Sequence, residues 1–541
     1  MKEETPWPIE IKNHPFGSRK NKGDETLNKT KTSEEIISDE DLSAERITSD
    51  CFDNPRVYRD MILEKVSISP RENFEGGGVF YMWLNKVCPV GCEFCFFNSP
   101  SSCKNEDPSG TEITDEGIEN IIKLTNEGKI DKLVISGGGE PMMSREKVGK
   151  LASEANIDTL TVVTSSYWSR NEGKTDKYLS ELRAKAESNP HHPKVVVRLS
   201  LDKFHLGRLA RGKGFSYVNN LINWFDNNAK DDPDFSLLIH TIEGDQTVKE
   251  FLATLPVRSI DENNEFLNRK TNVVLESGLP FKVEYSQVFD SNPHVDLRNS
   301  AEQAKNQDTF EDFLKYRRKG NMSISFHGDG EPKGVFFLML YDGTIEIWGA
   351  SAPEVETSIY KDDYRAIMDK NLKDVITLTA LEKGPLYMQN IVAEVDPEAV
   401  TRAVGAGLRD FYSRLLFEED TLRLYVSIRL IQEYLKEGRI NKEEENSWPA
   451  QLRAMVSLDK KILKEIYFNS SFNIVEQYLT DPNVSTKKLL SLYEYVRLGH
   501  YAITTDKMIE QIEASSIDDN IKSAFFDSLD KHSSSLAVLP S

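Results

Sequence analysis

From Gly78 onward, short apolar runs alternate with amphipathic stretches. GVFYMWLNK (Gly78 to Lys86) reads as a strand, and DKLVISGGGEP (Asp131 to Pro141) as a second strand that breaks into glycines. DTLTVVTSS (Asp158 to Ser166), KVVVRLSLD (Lys194 to Asp202), DFSLLIHTIE (Asp234 to Glu243) and FKVEYSQVF (Phe281 to Phe289) supply the rest of a set of six. Helical spacing fills most of the gaps. TDEGIENIIKLTNEG (Thr114 to Gly128) places Ile118, Ile121 and Ile122 on one face, with Thr114 as N-cap. REKVGKLASEA, TDKYLSELRAKAES and FSYVNNLINWFDNN follow the same period. A longer connection ending in TNVVLESG precedes the sixth strand. Alternation of this kind predicts an α/β fold with a parallel sheet, either open or closed into a barrel.

The flanks have other textures. Up to about Ser49 the chain is rich in Lys, Glu, Ser and Thr with little apolar periodicity, which predicts a flexible or loosely docked extension. After Asn292 the alternation stops, and GVFFLMLYDGTIEIWG (Gly334 to Gly349) reads as a β-hairpin turning at Asp342-Gly343. Beyond Lys361 the pattern is helical. The expected division is an N-terminal extension (1–75), a core (76–292), a hairpin linker region (293–360) and a mainly α-helical C-terminal domain (361–541).

Composition narrows the function classes. Of 541 residues 38% are hydrophobic and 29% charged, which suits a soluble protein of more than one folding unit. No run is apolar enough to span a membrane, and the first residues lack the apolar stretch of an export signal. A cytoplasmic location is the expectation, and thiols there stay reduced. Lys and Arg number 67 against 88 Asp and Glu, a net charge of −21, which disfavours nucleic-acid partners.

The chain has only five cysteines, yet Cys88, Cys92 and Cys95 share one short segment after the first strand. Pro89 and Gly91 let that segment curl. Three thiolates converging there select zinc or an iron–sulfur cluster. Structural zinc usually takes four ligands from paired knuckles, and no second knuckle follows, although Cys103 would serve as a fourth ligand. The other reading is a four-iron cluster held by three cysteines, its fourth iron open to a ligand.

The CxxxCxxC spacing, with Phe94 just before the last cysteine, resembles the radical S-adenosylmethionine (SAM) superfamily. The resemblance implies one 4Fe–4S cluster on Cys88, Cys92 and Cys95, with the amino and carboxylate groups of SAM on the fourth iron. Reductive cleavage of SAM would then release a 5′-deoxyadenosyl radical that takes a hydrogen atom from the substrate. Gly138, Gly139, Glu140 and Pro141 match the family's GGE(P) motif at the end of its second strand, which binds the SAM amino group. Ser165 stands where relatives carry a polar turn after the third strand. Ser200 and Asp202 match a Ser and an Asp of the fourth strand, the serine reaching the SAM ribose or carboxylate. Arg198 shares their face by the two-residue period and suits a carboxylate. Gln287 and Val288 are candidates to flank adenine.

These positions lie at or near the C-terminal ends of different strands, where parallel sheets and barrels build their sites. The family's fold is a partial (β/α)6 barrel, and the resemblance covers Gly78 to Phe289. YDGTIEIWG resembles the hairpin that opens the SPASM/twitch regions of peptide-modifying relatives. No cysteine follows Cys103, so auxiliary clusters of that kind have no ligands and a single cluster is expected. Cys103, eight residues past Cys95, is a candidate hydrogen-atom donor, as a thiol is in some epimerases of the family, with an inert or surface thiol as the alternative. His205, His240 and His327 are candidate proton carriers, each with an ordinary structural role as the alternative. An electron donor such as a flavodoxin or ferredoxin is implied, with a peptide or protein as substrate. A small metabolite is the alternative substrate, and a non-catalytic, zinc-stabilised interaction protein the alternative function.

Overall fold

The computed structural model describes residues 43–71, 74, 76–92, 95, 99, 111–242, 244–263, 270–286, 324–326, 332–347, 350–395, 416–417, 420–480, 484–497 and 505–537. They fall into two compact units. One takes its described residues from Phe74–Trp348 and Pro353–Met368, the other from Lys31–Asn73, Gly349–Ala352 and Asp369–Ser541.

The first unit is a mixed sheet with helices in its connections. Its strands are β1 (Val79–Asn85), β2 (Lys132–Gly138), β3 (Thr159–Thr164), β4 (Lys194–Ser200), β5 (Phe235–Ile242), β6 (Val257–Asn263), β7 (Lys270–Leu275), β8 (Pro280–Ser286), β9 (Ile324–Phe326), β10 (Pro332–Met339) and β11 (Ile345–Ile347). Their order is β11-β10-β1-β2-β3-β4-β5-β8-β7-β6, with β9 beside β10. The six strands expected from the sequence are β1 to β5 and β8, and they run parallel in chain order. The helix expected after β1 spans Asp115–Glu127; Thr114 caps it by accepting from the Gly117 N–H at 3.1 Å, and Ile118 and Ile121 are fully buried. Helices Arg145–Glu154, Glu172–Glu187 and Ser216–Asn228 fill the following connections.

Two elements differ from expectation. The connection before β8 contains an antiparallel pair, β6 and β7, and β7 pairs antiparallel with β8. The hairpin forms, but β10 pairs parallel with β1, and β11 folds back along β10. The hairpin therefore extends the main sheet. Val335, Phe337, Leu338 and Met339 are buried whichever face they take, as a strand inside a parallel sheet requires.

The two faces of the sheet have opposite characters. Phe80, Met82, Leu133, Ile135, Leu160, Val162, Val197, Leu199, Ile239 and Val283 form one buried apolar face. The opposite face carries Trp83 beside Ser136, and Arg198 two positions before Ser200. Ser200 neighbours His240, and His240 neighbours Glu284.

The second unit is helical. Residues Ala44–Asp53 lie partly in the stretch whose polarity suggests a loose extension, yet they form a helix. Thr48, Cys51 and Phe52 repeat at helical spacing and are fully buried. Phe52 packs edge-on against Tyr467, and Ser470 Oγ donates to the Phe52 carbonyl at 3.0 Å. Among the described residues, no helix is long and apolar enough to cross a membrane.

Candidate functional site

At the C-terminal end of β1 the chain enters the cysteine segment, and the end of β2 lies beside it because Asn85 pairs in register with Gly138. The two segments are fastened together. The Glu140 N–H donates to the Val87 carbonyl at 2.8 Å. Asn85 Nδ2 donates to the Glu140 carbonyl at 3.1 Å and to Ser144 Oγ at 2.8 Å. Ser99 Oγ donates to the Gly138 carbonyl, and the Ser99 N–H points at Cys95 Sγ at 3.5 Å. Glycine is required at this seam. Gly138 has φ +75°, and a Cβ on Gly139 would stand 2.2 Å from both Asn85 Oδ1 and the Val87 carbonyl oxygen.

Cys88 stands within electrostatic reach of Cys92, Cys95 and Glu140, and burial pushes its thiol up to about 12. Among the described residues, no three His, Cys, Asp or Glu side chains gather closely enough to hold one metal ion. Cys51 is buried in the helical unit. Phe94, Cys103, Gln287, Val288 and His327 lie outside the described residues.

Glu140 points at the end of β3. Its Oε1 accepts from Thr164 Oγ1 at 2.6 Å and from the Met142 N–H at 3.2 Å. Its Oε2 accepts from the Ser165 N–H at 2.8 Å and Ser165 Oγ at 2.6 Å. Glu140 is 2% exposed, and burial raises its pKa above the usual range against the pull of these four donors. Pro141 then opens a single 3-10 turn, Pro141–Ser144. The structure thus brings Glu140 and Ser165 together. Ser166 adopts a left-handed φ of +58°, a conformation easier for Gly or Asn.

On β4, Arg198 is half-buried, and its Nε has no hydrogen-bond partner among the described residues. Asp202 caps helix Lys203–Leu209, its Oδ1 accepting from the Phe204 and His205 N–H groups at 2.9 Å each. Its Oδ2 lies 2.7 Å from His205 Nδ1, and Cys92 lies within electrostatic reach of the His205 ring. Burial works against a charged imidazole there, but Asp202 and Cys92 outweigh it and hold the His205 pKa well above the ordinary value. His240 is driven the other way, down to about 3, by burial and by Arg198.

Asn85, Ser99 and Thr164 are parts of the site that motif reading passed over. Thr164 and Asn85 each sit at a strand end beside a motif residue, and that adjacency is the signal that could have found them. Ser99 carries no comparable mark.

A search of curated proteins finds no match to this chain. Residues 74–185 match the model of a protein family described as a 4Fe-4S single cluster domain. That range contains the cysteine segment, the glycine turn and Ser165, and the match supports an iron–sulfur cofactor for this part of the chain.

Proposed function

We propose that the chain is a radical SAM enzyme holding one 4Fe–4S cluster on Cys88, Cys92 and Cys95. The observation that carries this reading is the seam between the cysteine segment and the Gly138–Pro141 turn, lying within residues that match a 4Fe-4S domain. The donor set fits the group: three soft sulfurs on one short segment.

The bound cluster would supply the electron that cleaves the SAM sulfonium to a 5′-deoxyadenosyl radical. The chain's own residues would bind and orient SAM. Gly138 and Gly139 allow a ligand to approach the backbone without meeting a side chain. Arg198, whose Nε has no hydrogen-bond partner among the described residues, would take a carboxylate, and Ser200, two positions on along the same face, a hydroxyl or carboxylate. Trp83, Leu338 and Leu340 form a small apolar cluster on the same sheet that would exclude water from the radical's surroundings. Glu140 would act through its backbone and by fixing the turn, since all four of its side-chain hydrogen bonds are made within the protein.

A partial barrel is the fold this reading requires. In its support, Lys132 on β2 interacts electrostatically with Arg198 on β4, Lys270 on β7 and Glu284 on β8, which suggests a curled sheet. A peptide or protein substrate is favoured by the hairpin after the barrel strands and by the size of the helical unit, and a flavodoxin or ferredoxin is the electron donor proposed.

The test is anoxic reconstitution with iron and sulfide, then reduction in the presence of SAM. The expected outcome is a brown protein that forms 5′-deoxyadenosine, with both colour and nucleoside lost in Cys92→Ala. A colourless zinc protein, or full activity in that variant, would overturn the proposal.

A further inference from the structure

The turn after β3 and the helix and loop after β4 carry cations that the proposed binding of cluster and SAM does not use. We propose that Arg170, Arg208, Arg211 and Lys213 form the docking surface for an acidic electron-carrier protein that reduces the cluster. This rests on the reading of Cys88, Cys92 and Cys95 as cluster ligands.

The run stands against the charge of the chain. Asp and Glu number 88 against 67 Lys and Arg, yet no carboxylate occurs between Asp202 and Asp226, where Lys203, Arg208, Arg211 and Lys213 all fall. The loop is fastened to the turn Tyr167–Arg170 after β3. Arg170 Nε donates to the Leu209 carbonyl at 3.1 Å, and Arg170 Nη2 to the Arg208 carbonyl at 3.1 Å. The Lys213 N–H donates to the Ala210 carbonyl at 2.8 Å. Arg170, Arg208, Arg211 and Lys213 are all exposed. Among the described residues, a Cβ on Gly207, Gly212 or Gly214 would meet nothing within 4 Å, so the surface between the cations is open. Burial and the neighbouring Arg211 lower the Arg170 pKa, as expected where like charges are held together. The carboxylates at the margins are engaged or belong to other elements. Asp202 is buried under the helix it caps, and Asp245 accepts from the Lys203 and Thr247 N–H groups at 3.0 Å and 2.7 Å. Glu172 lies in the first turn of the helix that follows Arg170.

Placement points to the partner. β1 to β4 run parallel, so the cysteine segment after β1 and the cations after β3 and β4 leave the same edge of the sheet. A protein that reduces the cluster must approach that edge. One electron leaves the reduced carrier and enters the oxidised cluster, and no bond is made or broken. The net charge of −21 repels an acidic carrier at long range, and a local cationic window steers it to the productive side. Electron-transfer encounters use small, weak interfaces, which suits a patch of this size. A phosphate backbone would extend past so short a run into a repelling field, so a compact acidic protein is favoured over a nucleic acid.

The experiment mixes the reconstituted protein with either a reduced flavodoxin, an acidic protein, or reduced methyl viologen, a small cation. Loss of the cluster's visible absorbance gives the rate. The unaltered chain is compared with a combined Arg208→Glu, Arg211→Glu, Lys213→Glu variant and with a milder Arg211→Gln, Lys213→Gln variant. At low ionic strength the glutamate variant should be reduced by flavodoxin roughly tenfold more slowly, the glutamine variant less so, and neither more slowly by methyl viologen. The difference should shrink as salt rises past about 0.1 M, where charges are screened within about 10 Å. Equal flavodoxin rates would overturn the inference, as would equal slowing with both reductants, or a flavodoxin that leaves the unaltered chain oxidised while methyl viologen reduces it. A single-stranded RNA held by the unaltered chain and lost by the glutamine variant, with flavodoxin rates unmoved, would overturn it in favour of a nucleic acid. If the glutamate variant loses its cluster, the glutamine variant decides: slowing with flavodoxin alone supports the docking surface, and an unmoved rate overturns it. Absence of any reducible cluster in the unaltered chain would instead overturn the cluster reading itself.

Discussion

Four donors converge on the carboxylate of Glu140, which links the end of β2 to the end of β3. Such a group is costly to remove because each donor is left buried without an acceptor. Glu140→Ala should lower stability by about 2–4 kcal/mol even without SAM or iron, read as a fall in the urea midpoint of the apoprotein. If the variant unfolds like the unaltered chain and only SAM binding weakens, the carboxylate is free for ligand and the structural role is wrong. The sequence makes Glu140 visible through its glycines. It does not show where the side chain goes, because its main partners, Thr164 and Ser165, belong to another strand end. The same holds for His205 and Cys92, which lie within electrostatic reach of each other. Each residue is legible alone, but their nearness depends on how β4 and the cysteine segment are brought together.

At the scale of elements, β1 to β5 and β8 were legible because each is an apolar run bounded by turn residues. Their parallel pairing was legible because helical spacing separates most of them. The partner of β10 was not legible. A hairpin pattern fixes its own turn and its local antiparallel pairing, but it carries no signal of which distant strand lies on the other side. β6 was missed because VRSIDEN alternates polar residues as an exposed edge strand does, with little apolar content to mark it. The hairpin's turn gives a test. Gly343 has φ +86°, and a Cβ there would stand 2.4 Å from the Tyr360 ring. Gly343→Ala should cost about 1–3 kcal/mol locally. Hydrogen exchange should then show lost protection in β10 and β11 while β3 to β5 keep theirs. Unchanged protection in β10 and β11 would mean that the turn does not hold the hairpin on the sheet.

Over the whole molecule, the excess of carboxylates gives a net charge of −21, and the helical unit buries several of them against arginine. Arg423 is fully buried with Asp374 at 3.0 Å, and Arg439 is paired with Glu382. Glu394 accepts from Arg429 Nε at 2.8 Å and from Lys460 at 2.7 Å, its side chain 14% exposed and that of Arg429 5%. Pairs at this depth are worth little as net attraction, but a partner left alone is expensive, so they make the unit sensitive to whatever neutralises one side. Burial raises the Glu394 pKa, but the hydrogen bonds from Arg429 and Lys460 more than offset this, leaving it below the ordinary 4.5. A carboxyl whose folded pKa is depressed binds fewer protons folded than unfolded. Its stabilisation is therefore complete above pH 4.5 and is lost as the pH falls from there through the folded-state value. Glu394→Gln keeps the size and one acceptor but cannot titrate. It should be less stable than the unaltered chain by about 1–3 kcal/mol at pH 7. The gap should narrow as the pH falls below 4.5, because the unaltered chain loses what the variant never had. Urea unfolding of both proteins, followed by far-ultraviolet circular dichroism at a series of pH values, measures the gap. A difference that stays constant from pH 7 down through the acid range would show that Glu394 is not held as a buried anion.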